Sequence, residues 1–257
     1  MRVRGYAPAT PCWTVLTSGD PGTSADFYGG LFGWATAAAD DGTTTFLLRD
    51  LAVSGLAAAP GRPSAWLTYV STEDIEATAG RVGDAGGAVL LPPTPAGTRG
   101  HTALFADATG AVFGAWQRGT FAGTQVANEA NTICWSEVVT PDVAAAVSFY
   151  GKVFGWTERA GSAGAHQEYH EWVATNRVVG GMSPMGAMYP PGTPAHWRTI
   201  ILVDDCAATA ARAAELGGRL VAGPVDAGIG QGAFLLDPTG AAFLAFELIP
   251  ELRDTLG

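Results

Sequence analysis

The segment CWTVLTSGDPGTSADFYGGLFGW at residues 12–34 returns as CWSEVVTPDVAAAVSFYGKVFGW at residues 134–156. The offset is 122 residues throughout without a gap, and nine of the 23 positions are identical. A later segment repeats as well: FADATGAVF at residues 105–113 corresponds to LLDPTGAAF at residues 235–243. Repetition of this kind indicates a duplicated structural unit. The chain is therefore expected to be a tandem of two similar halves.

The repeat predicts two domains. The first covers residues 1–120, a Gly-rich polar linker covers residues 121–131, and the second domain covers residues 132–257. At about 120 residues, each half is large enough for a hydrophobic core of its own.

Each half contains two cycles of a strand, a helix and further strands. Asp20 precedes a first helix, which Gly33 ends. Thr72 is the expected N-cap of a second helix over residues 73–85, and Gly86 follows that helix. The second half repeats this order. The pattern predicts an α+β fold made of four βαβββ modules.

Charge and composition exclude several partners. The net charge of −10 disfavours binding to nucleic acid and to anionic membrane surfaces. The chain has no basic-then-apolar leader and no apolar run of about 18 residues. Its three Cys form no CxxC motif and fit core positions in a reducing compartment. We therefore expect a cytoplasmic protein.

The order strand, helix, Phe-Tyr-x-x-x-Phe-Gly-Trp, a helix ended by Gly-Gly and Asp-x-Thr-Gly-x-x-Phe resembles the vicinal oxygen chelate superfamily. This is the glyoxalase/bleomycin-resistance/dioxygenase fold. The Phe-Gly-Trp and Asp-Pro-Thr-Gly motifs are most similar to those of tandem glyoxalase-like proteins of high-GC bacteria. The resemblance covers almost the whole chain, twice. It implies two tandem domains whose curled mixed sheets surround clefts. It does not fix the function, because this superfamily contains isomerases, dioxygenases and drug-binding proteins.

The resemblance also implies where a divalent metal ion would bind. In metal-using members, His, Gln or Glu ligands come from four strand positions of each half. Carried over to this sequence, those positions are Trp13, Gly55, Leu67 and Gly114 in the first half and Trp135, Gly181, Arg198 and Leu244 in the second. A hard divalent cation needs imidazole or carboxylate ligands, and none of these side chains supplies one. We expect no metal and no cofactor.

Two Trp and one Glu are the leading candidates for a ligand site. Trp13 and Trp135 offer either a stacking surface for a flat apolar ligand or plain core filling. Glu137 shares a strand face with Trp135, whereas its repeat equivalent is Val15. Glu137 is either a general base or ligand anchor, or the partner of a structural salt bridge to a residue such as Arg198.

His170 is the second catalytic candidate, within an alternating strand. One strand face carries Tyr169, Glu171 and Val173, and the other carries His170, Trp172 and Ala174. Either face could point into the cleft.

Met182, Met185 and Met188 recur every third residue at the start of a Pro-rich segment, residues 185–194. This segment is expected to form a loop at the cleft mouth, with a flexible apolar rim.

The favoured function is a metal-independent protein that binds a flat hydrophobic natural product or antibiotic, in one cleft of the second half. It would serve self-resistance or act as an accessory to a biosynthetic enzyme, its expected protein partner. The alternative is a metal-independent isomerase or cyclase that uses Glu137 or His170. A third reading is a metal-dependent dioxygenase or lyase with unusual ligands. The predicted ligand contacts are Trp13, Trp66, Trp135, Glu137, Trp172, Met182, Met185, Met188, Trp197 and Arg198.

Overall fold

A computed structural model describes residues 1–161, 169–187 and 189–253. Each half forms one open, mixed, eight-stranded sheet, which confirms the α+β class and the four modules. The strands of the first sheet are β1 (Pro11–Ser18), β2 (Ala35–Ala38), β3 (Thr44–Leu48), β4 (Leu51–Ala58), β5 (Ala65–Thr72), β6 (Ala88–Ala96), β7 (Gly100–Ala106) and β8 (Val112–Arg118). Those of the second are β9 (Thr132–Thr140), β10 (Thr157–Ala160), β11 (His170–Ala174), β12 (Arg177–Pro184), β13 (His196–Leu202), β14 (Arg219–Asp226), β15 (Gly230–Leu236) and β16 (Ala242–Leu248).

Four helices belong to the modules, and a short fifth helix follows the last strand. They are α1 (Pro21–Phe32), α2 (Ile75–Asp84), α3 (Val143–Phe154), α4 (Cys206–Glu215) and α5 (Pro250–Arg253). Within the described residues, none of the helices has the length and apolarity needed to cross a membrane.

The sheets share one topology. In the first module, β1 pairs in parallel with β4 and antiparallel with β5, the first strand of the next module. In the second half, β9 pairs in the same way with β12 and β13. The strand orders are β2-β3-β4-β1-β5-β8-β7-β6 and β10-β11-β12-β9-β13-β16-β15-β14. The first strands of the modules therefore lie at the centre of each sheet.

An Asp caps each module helix. The carboxylates of Asp20, Asp74, Asp142 and Asp205 accept hydrogen bonds from backbone N–H groups in the first turns of α1 to α4. The predicted cap Thr72 is wrong by two residues. Its hydroxyl instead accepts from the N–H of Asp74 and so shapes the turn before the helix.

The hydrophobic cores on the helix side of the sheets are shared between the halves. One core combines Phe27 and Tyr28 of α1 with Phe243 and other residues of the fourth module. The other combines Phe113 of the second module with Phe149 and other residues of the third. On this side of the sheets, the helix of each module packs on its own strands and also against a module of the other half, so the halves do not have separate helix-side cores.

A buried polar chain also joins the halves. The indole N–H of Trp197 donates to the Tyr150 hydroxyl over 2.8 Å, and that hydroxyl donates to Oδ2 of Asp107 over 2.9 Å. Asp107 belongs to the repeated Asp-x-Thr-Gly turn of the first half, and Tyr150 belongs to the repeated Phe-Tyr pair of the second. The Phe-Tyr motif of the second half thus contacts the Asp-x-Thr-Gly turn of the first half.

The linker packs against the first half. The N–H groups of Thr124 and Gln125 donate to the carbonyls of Cys12 and Ala52, and Val126 is buried. The segment that joins the halves is therefore an ordered part of the first sheet's surroundings.

Candidate functional site

The candidate site lies on the face of the second sheet that is turned away from the helices. On β9, Val138 packs in the helix-side core with Tyr150. Because strand residues alternate between faces, Trp135 and Glu137 point to the opposite face. We call Trp135, Glu137, Tyr169, Gly181 and Arg198 the second-half site.

A buried ion pair is the centre of this site. Arg198 lies directly opposite Glu137 on the neighbouring strand, and its Nη2 is 2.7 Å from Oε1 of Glu137. Only 12% of the Arg198 side chain and 6% of the Glu137 side chain are exposed. The guanidinium also lies 5.1 Å from the ring centre of Phe234, within cation–π range. The salt bridge that was one of the two readings of Glu137 is therefore present.

Tyr169 links the ion pair to the indole. Its hydroxyl accepts a hydrogen bond of 2.7 Å from Nε1 of Trp135. Burial, and then the negative charge of Glu137, raise the pKa of the Tyr169 phenol well above its usual range. Tyr169 is therefore a neutral phenol at physiological pH and keeps an O–H donor beside the carboxylate.

The Pro-rich segment contributes a second Tyr near the ion pair. Burial raises the pKa of Tyr189, and the charges of Arg198 and Glu137 also act on it. Burial lowers the pKa of His196, whose Nδ1 is 3.0 Å from the carbonyl of Pro194 and whose ring lies 5.9 Å from that of Tyr189. Sequence reasoning missed Tyr189 as a site residue, although it had placed a loop at the mouth of the site.

The residues at the expected metal positions do not fit a metal ion. At Gly181, an added Cβ would collide with the Tyr169 hydroxyl and lie 2.8 Å from Nε1 of Trp135. The space that a ligand side chain would need is therefore filled by aromatic groups, and Arg198 adds a positive charge that opposes a cation. Within the described part of the chain, no three His, Cys, Asp or Glu side chains come together as a metal site would require.

The equivalent face of the first sheet is packed by its own side chains. The ring of Trp13 lies over Gly55, and the ring of Tyr69 lies over Gly114. Burial raises the pKa of Tyr69 to about 12. We call Trp13, Gly55, Tyr69 and Gly114, together with Phe121 of the linker, the first-half site.

Four predicted ligand contacts lie away from the second-half site. Trp172, Met182 and Trp197 are buried in the helix-side core with Tyr150, and Trp66 lies in the other helix-side core with Tyr28. Of the two faces considered for β11, Tyr169 and Glu171 share the site face, and Trp172 faces the helices. We therefore leave Trp66, Trp172, Met182 and Trp197 out of the candidate site.

His170, the first residue of β11, faces away from the preceding Tyr169. Its Nδ1 is 2.5 Å from Oε2 of Glu158, so its ring forms an ion pair at the edge of the sheet when protonated. Met185 follows β12, and its N–H donates to the carbonyl of Thr140. Met188 lies outside the described residues. Of the two predicted catalytic residues, Glu137 and His170, these placements leave only Glu137 within the second-half site.

Comparison with known proteins agrees with this architecture. The model of the Glyoxalase/Bleomycin resistance protein/Dioxygenase superfamily matches residues 12–140 and 132–244. The Mn(II)-bound glyoxalase from Novosphingobium aromaticivorans has a TM-score of 0.63 at 17% identity, covering 93% of this chain and 82% of that one. The 2,3-dioxygenase LapB from Pseudomonas sp. KL28 has a TM-score of 0.65 at 14% identity, covering 96% of each chain. At these identities the structures support the fold alone.

Two other relatives are more similar to this chain in sequence than these two structures are. The "Anthracycline biosynthesis protein DauV" of Streptomyces sp. (strain C5) is 37% identical over 268 residues, covering 95% of this chain and 94% of the relative. The "Putative glyoxylase CFP32" of Mycobacterium tuberculosis (strain CDC 1551 / Oshkosh) is 35% identical over 262 residues, covering 96% and 97%. Both relatives match the chain over nearly their full length.

Proposed function

This chain belongs to the Glyoxalase/Bleomycin resistance protein/Dioxygenase superfamily, and we propose that its second-half site binds a flat aromatic small molecule without a metal ion. The anthracycline biosynthesis relatives favour an anthracycline-like ligand, which is a fused aromatic ring system. In this proposal the protein is an accessory that takes up the aromatic product of a biosynthetic enzyme.

The observation that carries the proposal is the exposure of Trp135. All eight Trp lie in the described part of the chain, and seven of them are buried. Trp135 alone is half-buried, and it stands beside a buried ion pair on the sheet face that is turned away from the helices. An indole in this position offers a large apolar surface to a flat ring system.

The Glu137–Arg198 pair supports binding rather than folding. The first half has Val15 and Leu67 at the same cross-strand position, so the scaffold folds without charges there. Burying two charges carries a desolvation cost that their attraction does not reliably recover. We infer that the pair is kept because it orients polar groups on the edge of a ligand, such as phenol and quinone oxygens.

Titration calorimetry with a purified anthracycline tests the proposal. We expect one ligand per chain, and we expect Trp135→Phe to weaken the Kd by about two- to tenfold, since an aromatic contact of this kind contributes about 0.5–1.5 kcal/mol and the smaller phenyl ring keeps part of it. The matched control is Trp13→Phe, the equivalent indole of the first half, which is buried under Phe121. It should leave the Kd unchanged.

Two results would contradict the proposal. One is the absence of heat with a series of anthracyclines and their aglycones. The other is stoichiometric Fe, Zn, Ni or Mn in the purified protein. Binding would then involve a metal ion, which the side chains of the second-half site do not fit.

A metal-independent enzyme is the second candidate, and the contact between Tyr169 and Glu137 favours it. A neutral phenol beside a buried carboxylate can hold and pass a proton. In that case the anthracycline recovered from the titration would be chemically altered by mass spectrometry. The alteration would stop in Glu137→Gln while binding persisted.

A further inference from the structure

The first-half site already contains an aromatic ring, and that ring comes from the linker. The rings of Phe121 and Trp13 meet edge to face with centres 4.8 Å apart, and Phe121 lies 6.1 Å from Trp116. The Arg99 guanidinium lies 4.1 Å from the centre of the Phe121 ring. Phe121 is thus held as a ligand would be, by an indole beside it and a guanidinium over its face.

Backbone and polar contacts hold this ring in place. The indole N–H of Trp116 donates to the carbonyl of Phe121 over 3.0 Å, and the N–H of Phe121 donates to the carbonyl of Arg99. Arg99 in turn is buried and forms an ion pair of 3.1 Å with Asp41. The linker residue is therefore fastened over Trp13 from both sides.

The described residues of the second half include no counterpart of this ring. Trp135 is the repeat equivalent of Trp13, yet among the described residues no aromatic ring stacks or packs edge-on against it. Its indole N–H donates a hydrogen bond to the hydroxyl of Tyr169. Among the described residues, no ring therefore stands over Trp135 as Phe121 stands over Trp13.

We propose that the first-half site is a second site for an aromatic ring, which Phe121 occupies as an internal ligand. The chain then takes one external ligand, in the second half, over Trp135. Removal of the Phe121 ring would open the first-half site to a free aromatic molecule. The number of ligands taken up rests on the proposed function, whereas the occupancy by Phe121 does not.

The first experiment uses toluene, which is the side chain of Phe121 as a free molecule. We expect Phe121→Ala to lower the Tm and to make Trp13 accessible to acrylamide. Toluene should then raise the Tm of this variant by about 2–4 °C and leave the wild type unchanged, because an apolar cavity binds a molecule that fills it. Phe121→Leu, which fills much of the same volume, is the matched control and should not respond.

A Tm of Phe121→Ala that toluene does not change, together with an acrylamide accessibility equal to that of the wild type, would overturn the proposal. If Phe121→Ala does not fold, Phe121→Val, which leaves a smaller cavity, replaces it in the toluene experiment, and Phe121→Leu remains the control. A loss of toluene rescue in Phe121→Ala/Trp13→Ala would show that the molecule binds over Trp13.

Calorimetry with an anthracycline separates this inference from the proposed function. We expect the wild type and Phe121→Ala each to bind one anthracycline, because the space left by one benzyl group is too small for a fused ring system, and we expect Trp135→Ala to weaken that binding in both. If toluene rescues but no anthracycline binds, the internal ligand stands and the proposed function fails. If the wild type binds one anthracycline and toluene does not rescue Phe121→Ala, the opposite holds.

Discussion

At the scale of single residues, the duplication provides its own reference for the Glu137–Arg198 pair. The two halves share the cross-strand position, and only the side chains differ: Val15 and Leu67 in the first half, Glu137 and Arg198 in the second. A buried pair is costly to break but cheap to replace as a whole, because a lone buried charge keeps its desolvation cost without its partner. Stability measurements can therefore separate what the pair does for folding from what it does for binding.

We expect the single change Arg198→Leu to lower the free energy of unfolding by about 3–5 kcal/mol, since it leaves Glu137 as an unpaired buried charge. The double variant Glu137→Val/Arg198→Leu copies the first half and should be about as stable as the wild type. Urea unfolding measures both. A double variant as unstable as the single one would mean that the second half needs the charges to fold.

At the scale of the elements, glycines on central strands make room for aromatic rings. Gly55 on β4 accommodates Trp13, Gly114 on β8 accommodates Tyr69, and Gly181 on β12 accommodates Tyr169. In a strand, Gly often marks a close approach of another group. Here the approaching groups are aromatic side chains.

Gly181→Ala tests this packing. The new Cβ would collide with the Tyr169 hydroxyl, so we expect Tyr169 to move, its hydrogen bond with Trp135 to break, and the free energy of unfolding to fall by about 1–3 kcal/mol. Urea unfolding and Trp fluorescence report the two effects. Gly186→Ala is the control, because a Cβ there meets no atom within 4 Å. Equal behaviour of the two variants would show that Tyr169 is not held over Gly181.

The sequence predicted the modules well because their signals are local. The repeat, the Asp caps and the Asp-x-Thr-Gly turns fix the order of the long strands and helices. The βαβββ pattern includes a strand directly after each of the helices α1 and α3, but it did not give the bounds of these strands, β2 (Ala35–Ala38) and β10 (Thr157–Ala160), since both are short and mostly exposed and so carry little hydrophobic pattern. The order of strands and helices was therefore predictable where burial of one face produces a regular spacing of hydrophobic residues in the sequence.

The site was predicted in part, for a related reason. Alternation assigned Trp135 and Glu137 to one face correctly, and the first strand was firmly aligned by the repeat. For β11, alternation gave two faces without saying which one the helices cover. That choice depends on a core shared with the other half, which no local pattern specifies. Trp172 was therefore assigned to the ligand, whereas it packs against Tyr150.

At the scale of the whole molecule, the two sheets are formed within the halves, but the helix-side cores combine residues of both halves. Tyr28 of the first half packs against Phe243 of the second, and Tyr150 of the second packs against Phe113 of the first. Asp237 also lies close enough to Tyr28 to raise its pKa, after the larger effect of burial. The same contact between halves thus occurs twice. In each case the Phe-Tyr motif of one half packs against the Asp-x-Thr-Gly-x-x-Phe motif of the other half.

This sharing predicts that neither half folds alone as a monomer. Residues 1–127, expressed without the rest, would expose Phe27, Tyr28 and Phe113, and each large apolar side chain contributes about 1.5–3 kcal/mol by its burial. We expect each separate half to aggregate, or to form dimers that cover the same surface, and we expect co-expression of residues 1–127 and 128–257 to restore one cooperative melting transition. Sedimentation and thermal melting measure both. A monomeric first half with a cooperative transition of its own would show that the shared cores are a docking surface between two independent domains, and the contacts of Tyr28 and Tyr150 would then contribute to assembly rather than to folding.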